Sequence, residues 1–404
     1  MPARVILGVG AGIAAYKVCE LLRLLTESGH RVRVVPTPDA LRFVGEVTWA
    51  ALSGETVTTD AWTGVEEVPH VRLGHSADLV LVAPATADLL ARAAAGMAGD
   101  LLTATLLTAR CPVLFAPAMH TEMWEHPATQ ANVSLLRSRG AIVLEPAVGR
   151  LTGKDSGPGR LPEPEEIFAV ATRLLTGGDP RKQDLAGRRV MVSAGGTREE
   201  IDPVRFIGNW STGTQGYALA RTAVARGAEV TVIAANVTFP DPAGVKVVKV
   251  VSARDLQEAV NAAAAEADAV VMAAAVADYR PEARSETKIK KDGQPPEPLR
   301  LTMNPDILAG LAALRRANAT NQRRQVLVGF AAETDTSPAA AQAKLQNKGC
   351  DLLVVNPVGK GLGFGTADNE AVVYGADGTV TQIPRGPKEA LADVVWDLVA
   401  ERLA

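Results

Sequence analysis

The sequence predicts an α/β protein with two open, parallel, Rossmann-like sheets in consecutive domains. Three observations support this prediction. Short, continuously apolar segments that end at Pro or Gly alternate with amphipathic segments, as in parallel sheets whose two faces are covered by helices. A glycine-rich turn follows the first such segment in each half of the chain. The 404 residues exceed the size at which a single hydrophobic core stops growing.

The first half of the chain alternates predicted strands with predicted helices. The strand segments are RVILGVG, RVRVVPT, ADLVLVAP, CPVLFAP and AIVLEPA. Helical spacing of apolar residues predicts helices over 13–28, 86–95 and 127–139. The segment PEPEEIFAVATRLL predicts a further helix, because Pro and acidic residues occupy its first turn. This alternation predicts a parallel sheet with helices on both faces.

A segment rich in Gly, Pro and charge, TGGDPRKQDLAG, separates the two halves. We place a linker at 177–187, between domains that span 1–176 and 188–404. The second half repeats the pattern with strands RRVMVSAGG, EVTVIAA, DAVVMAAAV, QVLVGFAAE and DLLVVNP and with helices over 215–226, 253–266, 306–315 and 338–348. Alternating apolar residues around Asp377-Gly378 predict a β-hairpin.

The composition excludes several classes of partner. The 42 Lys and Arg residues against 45 Asp and Glu give a net charge of −3, so no basic field argues for nucleic acid or for a membrane surface. No apolar run predicts a membrane span, and the first residues lack the pattern of a signal peptide. The three cysteines form no disulfide or zinc pattern, which suits a reducing cytoplasm.

The first glycine-rich turn, Gly8–Gly12, can bring backbone N–H groups close to a phosphate at the start of a helix. Tight packing of a strand against a helix is the alternative explanation for these glycines. A dinucleotide enzyme needs an acidic residue at the end of its second strand, and Thr37 and Asn236 stand at those positions in the two halves. A two-domain NAD(P) oxidoreductase is therefore disfavoured, whereas a flavin mononucleotide phosphate is compatible with the turn.

Residues 69–102 and 116–124 carry a more specific pattern. His70 precedes an apolar strand, the loop PATAD follows that strand, and APAMHTEMW comes later. Together with GIAAYK and GPGR, these motifs resemble the flavin-containing cysteine decarboxylases in order and spacing. The resemblance implies that a bound FMN oxidises the substrate thiol, that CO2 is then lost, and that the product is reduced back.

The same resemblance implies roles for individual residues of the first domain. His70 is the expected catalytic residue, and the near-neutral pKa of an ordinary His suits proton transfer at the substrate thiol. The expected FMN contacts are Gly12, Thr37, Thr86, Asp88 and Ala118. The expected contacts to the substrate, phosphopantothenoylcysteine, are His120 and Met123.

Two positions depart from the pattern of that family. His120 replaces the usual carboxylate-binding Asn, and a His can also donate a hydrogen bond to a carboxylate. Thr152-Gly153 replaces the segment that usually contains a proton-donating Cys, so Lys154, Asp155, Ser156 and a water molecule are the candidate substitutes. An inactive flavin domain that serves as an oligomerisation or regulatory module is therefore an alternative for the first half.

The second glycine-rich turn, SAGGTREEIDPVRFIGNWSTGTQG, is too long for a dinucleotide fingerprint. Its Thr, Ser and Gly residues supply donors to a phosphate, and Arg198 and Arg205 add guanidinium groups. Further along, Asp278 precedes a series of cations that includes Lys288 and Lys290. A carboxylate beside several cations suits a Mg²⁺–triphosphate.

The motifs DPVRFIGNWSTG, AAVADYR, KIKK, NPDI and GFAAET resemble the bacterial, CTP-dependent phosphopantothenate–cysteine ligases. The resemblance implies that Asn209 and Arg205 handle an acyl-cytidylate and that Lys288 neutralises charge on the triphosphate. The expected CTP contacts are Met272, Ala273, Ala274, Asp278, Lys288, Pro305, Asp306, Ile307, Leu308, Phe330, Lys344 and Lys348, and Asp278 is the expected Mg²⁺ ligand.

Taken together, the halves resemble the fused bacterial decarboxylase/ligase enzymes of coenzyme A biosynthesis. The resemblance implies that CTP activates the carboxylate of 4′-phosphopantothenate, that cysteine displaces CMP, and that the product is decarboxylated to 4′-phosphopantetheine. The implied partners are these small molecules, without nucleic acid or membrane. The implied assembly is a cytoplasmic homo-oligomer with trimeric flavin domains and dimeric ligase domains.

Overall fold

The structure is a computed structural model that describes residues 2–57, 68–150, 156–176, 182–290, 298–317, 324–334, 337–359, 363, 365–366 and 368–404. Residues 152–155, part of the predicted linker and Lys291 lie outside the described residues. The chain divides into two compact units. The first unit comprises Met1–Lys182 with Pro242–Gly244, and the second comprises Gln183–Asp241 with Val245–Ala404.

The first unit is built on a five-stranded parallel sheet. Its strand order is β2-β1-β3-β4-β5, and all four strand pairs are parallel. The elements are β1 (Arg4–Val9), α1 (Ala15–Glu27), β2 (Arg31–Pro36), α2 (Glu46–Ser53), α3 (Pro69–Ser76), β3 (Leu79–Ala85), α4 (Ala87–Ala95), α5 (Leu101–Thr108), β4 (Val113–Pro117), α6 (Thr121–Glu125), α7 (Pro127–Ser138), β5 (Ile142–Val143), the hairpin β6 (Ala147–Arg150) and β7 (Ser156–Arg160), and α8 (Pro164–Leu175).

The predicted helices of the first unit are confirmed, and they cover both faces of the sheet. On one face, α1 buries Val18, Leu21 and Leu25, which share one side of the helix at the predicted spacing. On the opposite face, α4 and α5 bury a second apolar cluster that includes Phe115 of β4. The predicted strand AIVLEPA is shorter than expected, because only Ile142–Val143 pair with β4.

The order of the strands places a topological switch point between β1 and β3. The chain runs from β1 to β2 on one side and then crosses to β3 on the other side. In open α/β sheets, ligands bind beyond the carboxyl ends of the strands at such a point. The loops that begin at Gly10 and Thr86 therefore form the expected binding edge of the first unit.

The second unit is built on an eight-stranded sheet with strand order β12-β11-β8-β13-β16-β17-β18-β19. Its elements are β8 (Arg189–Gly195), β9 (Arg198–Glu200), β10 (Phe206–Gly208), α9 (Thr214–Ala225), β11 (Glu229–Ala235), β12 (Val245–Val250), α10 (Ala253–Ala264), β13 (Ala269–Met272), β14 (Tyr279–Pro281), β15 (Leu301–Met303), α11 (Ile307–Ala317), β16 (Val326–Glu333), α12 (Pro338–Lys348), β17 (Leu352–Pro357), β18 (Asp368–Gly375), β19 (Val380–Pro387) and α13 (Lys388–Leu403). Its switch point lies between β8 and β13.

The second sheet is mixed rather than fully parallel. In the order of the sheet, the first six strands, from β12 to β17, are parallel to their neighbours. Strand β18 is antiparallel to both β17 and β19. The hairpin predicted at Asp377-Gly378 is confirmed, and Gly378 adopts a φ of +86° that favours glycine. A short turn connects antiparallel strands without a crossover helix, which explains why this edge leaves the parallel pattern.

Helix α13 was not predicted from the sequence, yet it covers one face of the second sheet beside α9. The Trp396 side chain is fully buried, and its indole N–H donates to the Leu219 carbonyl of α9 at 2.9 Å. The fully buried Arg226 guanidinium, just after α9, donates to Asp184 and to Asp397 of α13. These contacts fix the position of α9, whose first turn lies at the switch point.

We predict that Trp396→Ala lowers the free energy of unfolding by about 3–5 kcal/mol, because it leaves a cavity in the apolar cluster between α13 and the sheet. The matched control is Trp210→Ala, since Trp210 is 89% exposed. Urea unfolding followed by circular dichroism should show a lower midpoint for the first variant and a midpoint near wild type for the second. Equal midpoints for both variants would contradict the packing described for α13.

Candidate active sites

The binding edge of the first unit is held together by backbone hydrogen bonds between the loops that leave neighbouring strands. The Gly10 N–H donates to the Pro84 carbonyl at 3.1 Å, and the Ala118 N–H donates to the Ala85 carbonyl at 3.0 Å. A Cβ at Gly10 would lie 2.3 Å from the Pro84 carbonyl oxygen, so this approach requires glycine. The loops of β1, β3 and β4 thus form one continuous edge.

Thr37 and Thr86 place hydroxyl groups at this edge. Thr37 follows β2 and is 4% exposed, and its hydroxyl has no hydrogen-bond partner among the described residues. Thr86 caps α4 by accepting from the Leu89 N–H at 3.3 Å. A buried hydroxyl without a partner costs free energy, so Thr37 fits a site where a ligand such as a flavin phosphate supplies that partner.

The remaining residues predicted to contact FMN have different surroundings. A Cβ at Gly12 would lie 3.6 Å from Thr86, so glycine is not required there by packing alone. Asp88 lies in the first turn of α4, and its carboxylate forms an ion pair with Arg92 at 3.0 Å. The Asp88 carboxylate therefore has a protein partner without any ligand.

His70 lies in helix α3, which directly precedes strand β3 as the sequence order predicts. The Thr108 hydroxyl donates to the His70 carbonyl at 2.7 Å, which anchors α3 on α5. Gly74 permits this contact, because a Cβ there would lie 2.3 Å from the Thr108 hydroxyl oxygen. The helix thus gives the His70 backbone a fixed position.

The segment that carries His120 and Met123 packs against the β6–β7 hairpin. The Met119 N–H donates to the Gly159 carbonyl at 2.9 Å, and a Cβ at Gly159 would lie 2.4 Å from the Met119 carbonyl oxygen. The structure therefore joins the predicted motifs APAMHTEMW and GPGR, which are distant in sequence. Met123 is 48% exposed and has room to contact a ligand.

The His120 ring has a carboxylate partner that sequence reasoning missed. Its Nδ1 lies 2.6 Å from Oε2 of Glu122. This contact lowers the pKa of the Glu122 carboxyl, so Glu122 is ionised and holds the ring by the Nδ1 side. A spacing of two residues at the start of α6 could have suggested the pair.

The second unit has a cleft at the carboxyl edge of its sheet, at the switch point. The Ala275 N–H donates to the Gly195 carbonyl at 2.8 Å, and the Thr197 N–H donates to the Ala275 carbonyl at 3.1 Å. The cleft contains three of the predicted CTP contacts, Ala273, Ala274 and Phe330. It is also lined by Ser211–Gly216, Ala275, Ala332, Asn356, Gly363, Gly365, Asn369 and Lys388. The last five of these residues were not predicted from the sequence as parts of a site.

Arg205 ties the β9–β10 hairpin to the segment that contains Lys288. Its guanidinium donates to Asp202 and to the Ile289 carbonyl, and the Ile289 N–H donates back to Asp202 at 3.2 Å. Burial alone raises the pKa of Asp202, but the hydrogen bonds from Arg205 and from backbone N–H groups outweigh it and hold that pKa far below its usual range. Asp202 is therefore a permanent anion that fixes Arg205.

A second group of predicted CTP contacts gathers around Asp278. The Asn304 N–H donates to the Asp278 carbonyl at 2.8 Å, which brings Pro305–Leu308 beside Asp278. The two predicted lysines of α12 form ion pairs: Lys348 with Asp306 at 2.6 Å, and Lys344 with Glu333 at 2.5 Å. These pairs place cations and carboxylates along the ends of β16 and α11.

Three of the residues predicted to contact CTP have buried side chains. Met272, Ile307 and Leu308 are 6%, 4% and 8% exposed, and all three pack in one apolar cluster of the second unit. Strand β13 and the start of α11 turn these side chains into the core, so the contacts predicted with CTP would be made by backbone groups and stay a prediction. Their backbone groups remain at the edge of the sheet.

A carboxylate-rich metal centre is absent from the described residues. Within those ranges, no group of three or more His, Cys, Asp and Glu side chains is arranged to hold a metal ion. The Asp278 side chain is exposed to solvent. Mg²⁺ commonly uses one or two carboxylates with substrate phosphates and water, and Asp278 fits that donor set.

Among the described residues, no helix combines the length and the apolar composition that a membrane span requires.

Two open α/β units, each with a switch point at the carboxyl ends of its strands, define the chain as a two-domain protein of the doubly wound α/β class. Residues 2–176 match the family described as Flavoprotein, and residues 185–403 match the family described as DNA/pantothenate metabolism flavoprotein C-terminal domain. The chain therefore combines both family domains in one polypeptide.

Curated relatives match the full length of the chain. It is 58% identical over 100% of its length to "Coenzyme A biosynthesis bifunctional protein CoaBC" of Mycobacterium tuberculosis, of which it covers 98%. It is 40% identical to the protein of the same name from Vibrio parahaemolyticus, covering 98% of both chains. The chain belongs to the family of CoaBC bifunctional coenzyme A biosynthesis proteins. Neither the NAD(P) oxidoreductase nor the inactive flavin module gains support from these relatives.

Solved structures resemble the two parts separately. The C-terminal domain of a CoaBC protein is 34% identical, covers 55% of this chain and 98% of its own, and has a TM-score of 0.45. A mutant PPC decarboxylase complexed with pantothenoylaminoethenethiol is 30% identical, covers 43% of this chain and 97% of its own, and has a TM-score of 0.40.

We predict that Thr37→Val weakens flavin retention, because the hydroxyl can no longer contact the bound flavin. The flavin-free protein should be at least as stable as wild type, because the substitution removes a buried hydroxyl that has no partner. The measurement is flavin absorbance after gel filtration, with thermal unfolding of the flavin-free protein. The matched control is Thr222→Val in α9, which removes another unpartnered buried hydroxyl in the second unit and should retain flavin. Full flavin retention by the Thr37 variant would refute the role of this hydroxyl.

Proposed function

We propose that the second unit condenses 4′-phosphopantothenate with cysteine at the expense of CTP, and that the first unit decarboxylates the product to 4′-phosphopantetheine. The observation that carries this proposal is full-length similarity to bifunctional coenzyme A biosynthesis proteins, in a chain whose two units each have their own binding edge. The proposed division assigns the decarboxylase to residues 1–176 and the ligase to 188–404.

In the first unit, the residues present fit a bound FMN. The Gly10–Gly12 turn, Thr37, Thr86 and Ala118 would hold it at the edge where the β1, β3 and β4 loops meet. When bound, FMN supplies a reversible two-electron acceptor, so that the overall decarboxylation needs no outside oxidant. The protein's task is then to bind the substrate and to move protons.

His70 and His120 perform these tasks in the proposal. The first transfers a proton at the substrate thiol from its place on α3. The second donates a hydrogen bond to the substrate carboxylate, and Glu122 supports this role by holding the ring through Nδ1. Met123 contacts the substrate beside it. Replacement of the usual Asn by a His with a carboxylate partner thus preserves a donor toward the carboxylate.

In the second unit, the substrate carboxylate attacks the α-phosphate of CTP, and pyrophosphate leaves. The amine of cysteine then attacks the acyl carbon, and CMP leaves as an amide bond forms. Asn209 and Arg205 orient the acyl-cytidylate, and Lys288 neutralises the developing charge. Asp278 would be the protein ligand of Mg²⁺, which would neutralise charge on the phosphates of CTP. The contact between Arg205 and the Ile289 carbonyl supports a joint role for these residues.

The family resemblance also supports an assembly and a compartment. We propose that the protein works in the cytoplasm as a homo-oligomer, with trimeric contacts through its flavin domains and dimeric contacts through its ligase domains. Analytical ultracentrifugation of the full chain measures this directly, since a monomer would contradict the proposed assembly.

The proposed function is tested by incubating the full chain with 4′-phosphopantothenate, cysteine, Mg²⁺ and either CTP or ATP. We expect pyrophosphate and CO2 to form with CTP and much less of both with ATP. Pyrophosphate release that is equal for the two nucleotides would overturn the assignment of CTP, and absence of CO2 would overturn the decarboxylation.

Two substitutions separate the two reactions. We predict that Asn209→Ala stalls the ligase with accumulation of the acyl-cytidylate, yet still releases CO2 from added phosphopantothenoylcysteine. The reciprocal variant, His70→Asn, should release pyrophosphate at the wild-type rate and lose CO2 release by at least about 100-fold, as expected for loss of a general acid–base group. Mass spectrometry of the quenched reaction identifies the intermediate; normal turnover by either variant would refute its assigned role.

A further inference from the structure

Lys388 is a buried ammonium group in the cleft of the second unit. It is the first residue of α13, is 5% exposed and lines the cleft. Burial lowers the pKa of the Lys388 ammonium, although Glu389 and Asp368 act in the opposite direction. Its Nζ donates to the carbonyls of Thr366 and, at 3.5 Å, of Gly363. A lysine has three N–H donors, so one of them is left for another acceptor.

The surroundings of Lys388 provide carbonyls but no ion pair. Among the described residues, no carboxylate lies within ion-pair distance of its Nζ. The fully buried Arg226 of the same unit, in contrast, is compensated by Asp184 and Asp397. A buried cation without a counter-charge is costly, and an anion in the cleft would remove that cost.

The first turn of α9 lies next to Lys388. The Gln215 side-chain amide donates to the Lys388 carbonyl at 3.3 Å and accepts from the Asn369 amide at 3.1 Å. Gly213 occupies the N-cap with a φ of +91° and offers no side chain to the first N–H groups of this 12-residue helix. The residues that carry these N–H groups and the ammonium thus line one cleft, and this combination of groups is the chemistry of a phosphate site.

We propose that Lys388 binds the phosphate monoester of 4′-phosphopantothenate in this cleft. This inference rests on the proposed function and adds a substrate-binding residue to it. The loop from Asn209 through Ser211–Gly216 leads to this corner, so an acid whose carboxylate reacts near Asn209 can extend its phosphate toward Lys388. The cations proposed for the nucleotide, Lys288 and Lys348, belong to other segments. Lys388 is thus a substrate-binding residue that selects the phosphorylated acid.

The test is Lys388→Met in the full chain, with pyrophosphate release measured at saturating CTP and cysteine. We expect kcat/KM for 4′-phosphopantothenate to fall by about 10–100-fold, because one charge-assisted hydrogen bond to the phosphate is lost. We expect kcat/KM for pantothenate to stay within about 2-fold of the wild-type value, because this acid has no phosphate. The preference for the phosphorylated acid then collapses. Lys388→Arg should recover part of that preference.

Binding measurements cover the case in which wild type does not turn over pantothenate. Calorimetric titration of the Lys388→Met protein should show weakened binding of 4′-phosphopantothenate and unchanged binding of CTP. Weakened CTP binding would assign the cation to the nucleotide instead, and unchanged binding of both would exclude the role; either result overturns the proposal. Equal loss of both ligands with a lower melting temperature would show a purely structural role and also overturn it.

Arg385→Met is the matched control. It removes one positive charge from the strand that leads into α13, at a side chain that is 57% exposed. We expect its preference for the phosphorylated acid to equal that of wild type. If the wild-type chain releases no pyrophosphate with any acid, the proposed function itself is refuted. If instead the Lys388→Met chain keeps the wild-type preference for the phosphorylated acid, only the role of Lys388 is refuted.

Discussion

Close approach of backbone to backbone at the ends of neighbouring strands is the constraint on which both binding edges depend. In the first unit, Gly10 donates to the Pro84 carbonyl where any Cβ would collide. In the second unit, Gly195 has a φ of +87°, and a Cβ there would lie 2.0 Å from the Ala235 carbonyl oxygen. Such contacts leave the edge free of side chains, so that ligand atoms can reach backbone N–H groups directly.

The lysines discussed for the second unit have two kinds of partner, either carboxylates or backbone carbonyls. Lys344 and Lys348 hold carboxylate partners in exposed or half-exposed positions, where an ion pair stabilises a protein by only about 0–1 kcal/mol. A polyphosphate can displace such partners at little cost. Lys388, in contrast, is buried on carbonyl oxygens and keeps its orientation without a ligand. The exposed pairs suit a substrate that must leave, whereas the buried cation suits precise recognition of one group.

Sequence reasoning identified the elements whose signal is local. Parallel strands buried on both faces read as continuous apolar runs, and Asp377-Gly378 marked its hairpin, because each pattern reflects its immediate surroundings. The contacts that complete the cleft are not local: Gln215 meets Lys388 across 173 residues. Motif resemblance supplied positions but not side-chain directions, so it did not show that the side chain of Met272 faces the core.

The missing Cys of the first unit raises the question of which group gives the last proton. Burial raises the pKa of both Cys19 and Cys111, so each remains a protonated thiol. However, Cys19 packs against the core from α1, and Cys111 precedes β4 at the amino edge of the sheet, opposite the binding edge. Neither thiol can therefore take over the role. Because Met119 contacts Gly159, the β6–β7 hairpin lies beside His120, and its residue Ser156 is exposed at the start of β7. For the proposed decarboxylation, this contact therefore favours Ser156, or a water molecule beside it, among the non-thiol candidates that the structure describes.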